Sequence, residues 1–123
     1  MSNWEIKDSG IRKEFESGMQ RDTNDNKARP ELCYPLHIPY QEQILTRFAT
    51  HMANGAKKYS SRNWEKACTQ EELDRFKESA FRHFTQWLCG EQDEDHASAV
   101  FFNIMAYETT LYKVKNKKYD RRQ

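Results

Sequence analysis

The chain has 123 residues, 37% of them hydrophobic and 32% charged, and its 20 basic and 19 acidic side chains leave a net charge of +1. That length holds one compact domain of ordinary size, and near-neutrality removes any global field directed at nucleic acid or a membrane surface. Cys33, Cys68 and Cys89 form no C-x-x-C pair and no cysteine–histidine cluster, so a reduced, cytoplasmic setting is expected rather than a disulfide framework or a zinc finger. The segment through Gly10 carries Trp4, Glu5 and Asp8 and lacks the apolar core of a signal peptide, and no run approaches the ~20 apolar residues of a membrane span. Modest apolar content in so short a chain limits burial, which points to a homo-oligomer.

In chain order, residues 1–38 hold Gly10, Gly18, Pro30 and Pro35 among polar residues with no helical period, and read as an extended or looped arm. A helix is expected from near Pro39, with Ile44, Leu45, Phe48, Ala49 and Met52 at helical spacing and Gly55 as its stop. The second helix has a sharper start, because Thr69 and Glu72 have the spacing of a capping box, and Leu73, Phe76, Ala80, Phe84 and Trp87 follow at steps of three and four. Gly90 ends it. The third begins around Asp93–Asp95, whose carboxylates suit a helix amino terminus, and carries Ala97, Val100, Phe101, Ile104, Met105 and Leu111 to about Asn116. The short link makes helices two and three an antiparallel hairpin. The expected fold is therefore all-α: an arm over 1–38, a small helical bundle over 39–116 and a basic tail over 117–123.

Chemistry concentrates in two places. Glu91, Asp93, Glu94 and Asp95 crowd four carboxylates into five positions; like charges so close repel, so the cluster suits a bound cation or a turn that faces water. Mg²⁺ takes hard oxygen ligands with waters and phosphates, and Glu91, Glu94 and Asp95 supply that chemistry. The segment Gly55–Glu65 gathers Lys57, Lys58 and Arg62 with Tyr59 and Trp64, which meets a nucleotide's needs: cations for phosphate oxygens, an aromatic face for the base and Asn63 for a polar edge. A charged surface loop pinned by one aromatic explains it equally well. No P-loop and no G-x-G-x-x-G is present. Asn103 interrupts the apolar stretch of the third helix and demands a hydrogen-bond partner, and Glu108 stands on the line of Ile104 and Leu111 as a candidate interface or acidic site.

In order along the chain come Phe15-Glu-x-Gly18-x-x-Arg21-Asp22, Lys27-x-Arg29, Gly55-Ala-x-Lys-Tyr59-x-x-Arg-Asn-Trp-Glu-Lys66, Ser79-Ala-x-Arg-His83, Gly90-Glu91-x-x-Glu-Asp-His96 and Asn103. This series resembles the phage dATP/dGTP diphosphohydrolases, which include the MazZ enzymes and are relatives in function of the MazG-type all-α pyrophosphatases. The resemblance spans roughly residues 15–108. It implies Mg²⁺-dependent conversion of a purine deoxynucleoside triphosphate to the monophosphate inside an infected bacterium. The MazG-type E-x-x-E and E-x-x-D pattern has two partial counterparts, Glu71, Asp74 and Glu78 on the second helix and Glu91-x-x-Glu94 with Asp95 at the third; the latter is preferred, with His83 across the hairpin.

On that resemblance Glu91, Glu94 and Asp95 are the expected metal ligands, and His83, Glu91 and Asp95 the catalytic groups. Arg21, Lys27 and Arg29 from the arm, with Lys57, Arg62 and Arg82, would hold phosphates; Tyr59, Asn63, Trp64 and Asn103 would meet the nucleoside. Loop and acidic turn lie on separate segments, so a site at a bundle or subunit interface is the natural meeting place. The alternative is a non-catalytic phage protein that sequesters a nucleotide with the same loop.

Overall fold

The computed structural model describes residues 6, 8–23 and 26–116, in two compact units that divide after Cys33. The tail expected at 117–123 lies outside the described residues. In the first unit the arm is not structureless. Strand β1 (Arg12–Glu14) pairs antiparallel with β2 (Gln20–Asp22), Arg12 opposite Asp22 and Glu14 opposite Gln20. Gly18 (φ 88°) adopts the left-handed turn conformation that Cβ-bearing residues avoid, and the Phe15 amide closes the turn on the Met19 carbonyl at 2.8 Å. Two exposed three-residue strands are marginal by themselves, so polar bonds hold them. The Asp22 carboxylate accepts from the Ser9 amide at 3.0 Å and from the Ser9 hydroxyl, and pairs with Arg12 and Lys27. Strands this short and polar carry no readable alternation, which is why sequence periodicity does not announce them.

In the second unit a 3₁₀ turn (Tyr40–Glu42) follows Pro39, and α1 runs over Ile44–Lys58. The helix thus starts later than Pro39 and passes through Gly55 instead of stopping there. A glycine inside a helix costs only about 1 kcal/mol relative to alanine, and Lys57 and Lys58 favour the extra turn by meeting the carbonyl end of the helix dipole. The chain reverses instead at Arg62 (φ 60°), then makes a 3₁₀ turn over Asn63–Lys66. Helix α2 covers Gln70–Leu88 and opens on the expected capping box: the Glu72 amide donates to Thr69 Oγ1, while the Cys68 and Thr69 amides donate to the Glu72 carboxylate. Helix α3 covers His96–Lys115.

Helix α3 is the axis of this unit. Phe102 on α3 receives three rings, His51 from α1 (5.8 Å), Phe76 from α2 (6.2 Å, edge-on) and Trp64 from the connecting turn (6.1 Å, edge-on), the tilted and edge-to-face arrangements that aromatic quadrupoles favour. The buried stripe of α3 is small and polar: Ala99, Asn103, Ala106 and Thr110, at steps of four and three. Small side chains let α2 and α3 approach closely, with Leu73 of α2 fully buried between them. Of the large apolar residues expected on the α3 core face, Phe101 is 43% and Ile104 52% exposed, while Val100, Met105 and Leu111 are half-buried. On α2 the amino-terminal half of the apolar face is covered while Phe84 and Trp87 stay outside, stacked on each other. Glu108 is exposed. Among the described residues no helix is long and apolar enough to cross a membrane.

The capping box makes a direct expectation for stability. Thr69→Ala removes the side-chain acceptor for the Glu72 amide and should lower the unfolding free energy by about 1 kcal/mol, read as a lowered denaturation midpoint with an unchanged slope; Thr69→Ser should restore most of it.

Candidate active site

Helix α2 ends in a Schellman motif that sets the acidic turn. Gly90 (φ 77°) follows the last helical residues, its amide donates to the Trp87 carbonyl (3.1 Å), and the Glu91 amide donates to the Gln86 carbonyl (3.1 Å). Glu91 is thereby fixed over the last turn of α2, and Gln86 Nε2 donates to its carboxylate at 3.0 Å. Asp95 caps α3, accepting from the Ser98 amide at 3.2 Å, and also receives Arg47 of α1 as a two-point pair, Nε at 2.9 Å and Nη2 at 2.7 Å. The Arg47 guanidinium holds the Asp95 carboxyl down at about 2.

Asp93 and His96 build the other half of the turn. His96, 2% exposed, places Nε2 2.8 Å from Asp93 Oδ1 and Nδ1 2.9 Å from His83 Nδ1 on α2. The His96 contact holds the Asp93 carboxyl below its usual range. Burial pushes the half-buried His83 down, with Arg82, His96 and His51 adding to the shift and Glu94 opposing it.

At this turn lies a cleft of about 370 Å³ whose wall includes Arg47, Trp87, Glu91, Glu94, Asp95 and His96, while Asp93, His83 and Arg82 are not among its lining residues. The three carboxylates expected to hold metal, Glu91, Glu94 and Asp95, therefore face one space, with Asp95 engaged by Arg47. A second grouping shares Glu91: the ligand atoms of Glu91, Asp93 and His96 lie within 4.8 Å of one another. Sequence reasoning passed over Asp93, His96 and Arg47 as site residues. The spacing Asp93-x-x-His96 just before a helix start was a usable signal, since it keeps a carboxylate and an imidazole within a few residues of each other; nothing local marks Arg47, whose partner lies 48 positions away.

The remaining expected residues stand elsewhere. Glu71, Asp74 and Glu78 are exposed on α2, with Asp74 bonded to Gln70. Asn103 is buried and donates to the Ala99 carbonyl of its own helix at 2.8 Å. Lys57 is exposed in the last turn of α1, and Tyr59, 65% exposed, lies under the Lys58 ammonium. Arg62 pairs with Glu65, Asn63 is exposed, and Trp64 is half-buried against Phe102. That loop meets α3 near Lys113, whose ammonium donates to the Glu65 carbonyl. The loop also reaches α3 at Phe102 through Trp64, seven residues or about 10 Å of helix from Asp95, but Lys57, Tyr59, Arg62 and Asn63 are not among the residues that line the cleft. Arg21, Lys27 and Arg29 belong to the first unit; Lys27 pairs with Asp22 and Arg29 with Glu31.

Because Asp95 has a depressed carboxyl in the folded chain, its contribution to stability is complete above about pH 4 and is lost as the pH falls toward about 2. Asp95→Asn keeps a good helix cap but loses the ion pair. The variant should melt below wild type near neutrality, and the gap between their melting temperatures should close as the pH is lowered through that window.

Sequence comparison bears on the whole of the second unit. The family model described as dATP/dGTP diphosphohydrolase, N-terminal, matches residues 17–122. No curated protein and no solved structure matches the chain. The matched segment runs from the arm's hairpin turn through all three helices and takes in the Schellman turn, the histidine pair and the acidic cleft, and on that extent the chain belongs to the dATP/dGTP diphosphohydrolase family.

Proposed function

We propose that the protein hydrolyses a purine deoxynucleoside triphosphate, dATP or dGTP, to the monophosphate and pyrophosphate, in the nucleotide metabolism of a phage-infected cell. The observation that carries this reading is the acidic cleft at the α2–α3 turn, inside the segment that matches the family. Mg²⁺ fits the donors there. It takes a few carboxylates and completes its shell with water and phosphate oxygens, and Glu91 and Glu94 are exposed oxygen donors on the cleft wall. His96 is a poorer ligand for so hard an ion, and both its nitrogens are engaged. We therefore assign Glu91 and Glu94 as ligands, with Asp95 held beside them by Arg47.

When bound, Mg²⁺ would offset triphosphate charge and lower the pKa of a water for attack on the α-phosphorus. The chain's own groups orient and exchange protons. Arg82, exposed on α2 and without an ion-pair partner among the described residues, meets phosphate oxygens, and His83 takes the proton of the attacking water. In the loop, Lys57 and Arg62 bind phosphate, the exposed face of Tyr59 stacks on the base, Asn63 reads an edge, and Trp64 anchors the loop on Phe102.

Because the cations and aromatics of the loop do not line the cleft, the complete site takes a second copy of the chain. The exposed Phe81, Phe84, Trp87 and Leu88 of α2 and Ile104 of α3 supply an apolar face for it, larger in side-chain bulk than the alanine-rich buried core.

Wild type should release pyrophosphate from dGTP or dATP only with magnesium, and magnesium should raise its melting temperature. Glu91→Gln should lose the thermal shift and about 10²–10³-fold in turnover, the size of loss that removing one transition-state electrostatic contact brings in acyl transfer. Nucleotide binding without pyrophosphate release would leave a sequestering protein instead. The shared site is tested by mixing: Arg62→Ala and Glu91→Gln, each inactive, should regain about a quarter of wild-type activity when refolded together as random dimers. A monomer by light scattering, or no recovery, removes the two-copy site.

A further inference from the structure

We infer that Arg47 binds a phosphate of the substrate inside the cleft, and that Asp95 is there the positioning residue that aims it and not a ligand of the metal. The ligand class is a magnesium-bound polyphosphate. The role in turnover rests on the hydrolase reading above; the binding role is tested without turnover.

The lining of the cleft raises the need for such a residue. Polyphosphates are held by cations and charged N–H donors, yet the cleft wall carries the carboxylates of Glu91, Glu94 and Asp95 and a single side chain of permanent positive charge, Arg47. Arg82 and the loop cations Lys57 and Arg62 are not among the lining residues. A magnesium ion on Glu91 and Glu94 would offset part of the negative charge, and the guanidinium is the one further cation the wall supplies for phosphate oxygens.

A count of donors shows what Arg47 has to offer. A guanidinium carries five N–H groups and accepts nothing. Asp95 takes two of them, with Nε donating to Oδ2 at 2.9 Å and Nη2 to Oδ1 at 2.7 Å. The others, both on Nη1 and one on Nη2, have no partner among the described residues, and the side chain is 42% exposed. Glu42 adds its charge from a distance without bonding to Arg47.

The same count argues against Asp95 as a metal ligand. Its Oδ1 accepts a further bond from the Ser98 amide at 3.2 Å, so three of the roughly four lone-pair positions of a carboxylate are occupied. Every donor in the set is an N–H that can only donate, so these roles hold whatever the protonation of the groups around them. Glu91 and Glu94 remain as the exposed oxygen donors for the ion. The two-point pair then has a use at the site. Gripped along one edge, the guanidinium is held in a plane, and a donor ordered beforehand loses less freedom when a ligand arrives. A lysine has no second edge to offer once its ammonium is on Asp95.

Magnesium pyrophosphate titrated calorimetrically into the full chain, beside melting temperatures with and without magnesium, separates binding from turnover. Arg47→Lys should bind magnesium pyrophosphate at least about 10-fold more weakly, the low end for a hydrogen bond to a charged group, and raise the KM for dGTP by a similar factor, with the magnesium shift in melting temperature kept. Asp95→Asn should also weaken pyrophosphate binding, by less, and keep the magnesium shift. Wild-type affinity for magnesium pyrophosphate in a folded Arg47→Lys overturns the binding role, and so does weaker binding that comes with loss of the magnesium shift, since the metal then explains it. Loss of that shift in Asp95→Asn makes Asp95 a ligand, and unchanged pyrophosphate affinity there removes its aiming of Arg47; either overturns the positioning role. A wild type that does not bind magnesium pyrophosphate, or is not stabilised by magnesium, overturns both. If Arg47→Lys does not fold, Arg47→Gln, whose amide can still donate to Asp95, is held to the same outcomes. If wild type binds magnesium pyrophosphate but releases none from dGTP, the hydrolase reading fails while the Arg47 comparison still decides the binding role.

Discussion

The pair between Arg47 and Asp95 is the joint on which the second unit is arranged. One carboxylate closes the amino terminus of α3, where a negative charge is favoured by the helix dipole, and the same carboxylate receives the two-point grip of an arginine from α1. Half-exposed ion pairs contribute little free energy. Its weight is geometric: the guanidinium fork accepts a carboxylate in one plane, so the beginning of α1 is set against the beginning of α3 and becomes a wall of the cleft.

That pairing also sorts the crowded carboxylates of the turn. Asp95 is matched by Arg47 and Asp93 by the Nε2 of His96, while the Glu91 carboxylate meets only the neutral amide of Gln86 and the Glu94 carboxylate has no hydrogen-bond or ion-pair partner among the described residues. The repulsion that four carboxylates in five positions imply is thus relieved at two of them by the protein's own donors. The charge left over sits on Glu91 and Glu94, and both face the cleft. A turn that satisfies some acids internally and leaves others open is arranged differently from one whose acids all point to water.

Packing tells a similar story of division. Close approach of α2 and α3 requires small residues along the buried line of α3, and Ala99, Asn103, Ala106 and Thr110 provide them. Once that line is given to small side chains, Phe101 and Ile104 must stand on other faces. Phe102 alone gathers rings from α1, α2 and the loop, so the aromatic loop is tied to the middle of α3 while the acidic turn is tied to its beginning. The separation of the two halves of the proposed site follows from which α3 residue each is anchored to.

The sequence by itself determined the elements whose signals are local. Thr69 and Glu72 mark the start of α2 because a capping box is a contact over three residues, Gly90 marks its end because only glycine readily takes the left-handed position of a Schellman motif, and the short link imposes the hairpin. The order of motifs identified the family, and the clustering of acids drew attention to the turn that lines the cleft. Tertiary structure alone decided the rest. Gly55 lies inside a helix because its neighbours outweigh a penalty of about 1 kcal/mol, and which face of α3 is buried depends on how close α2 comes, a quantity absent from the periodicity of α3 itself. The partners of the acids were beyond local reading for the same reason: Arg47 and Asp95 meet across 48 positions, and His83 and His96 meet only because the hairpin folds their helices together. Side-chain chemistry is written in the sequence, but whether a carboxylate is free or already bonded is a property of distance, and distance is set by the fold.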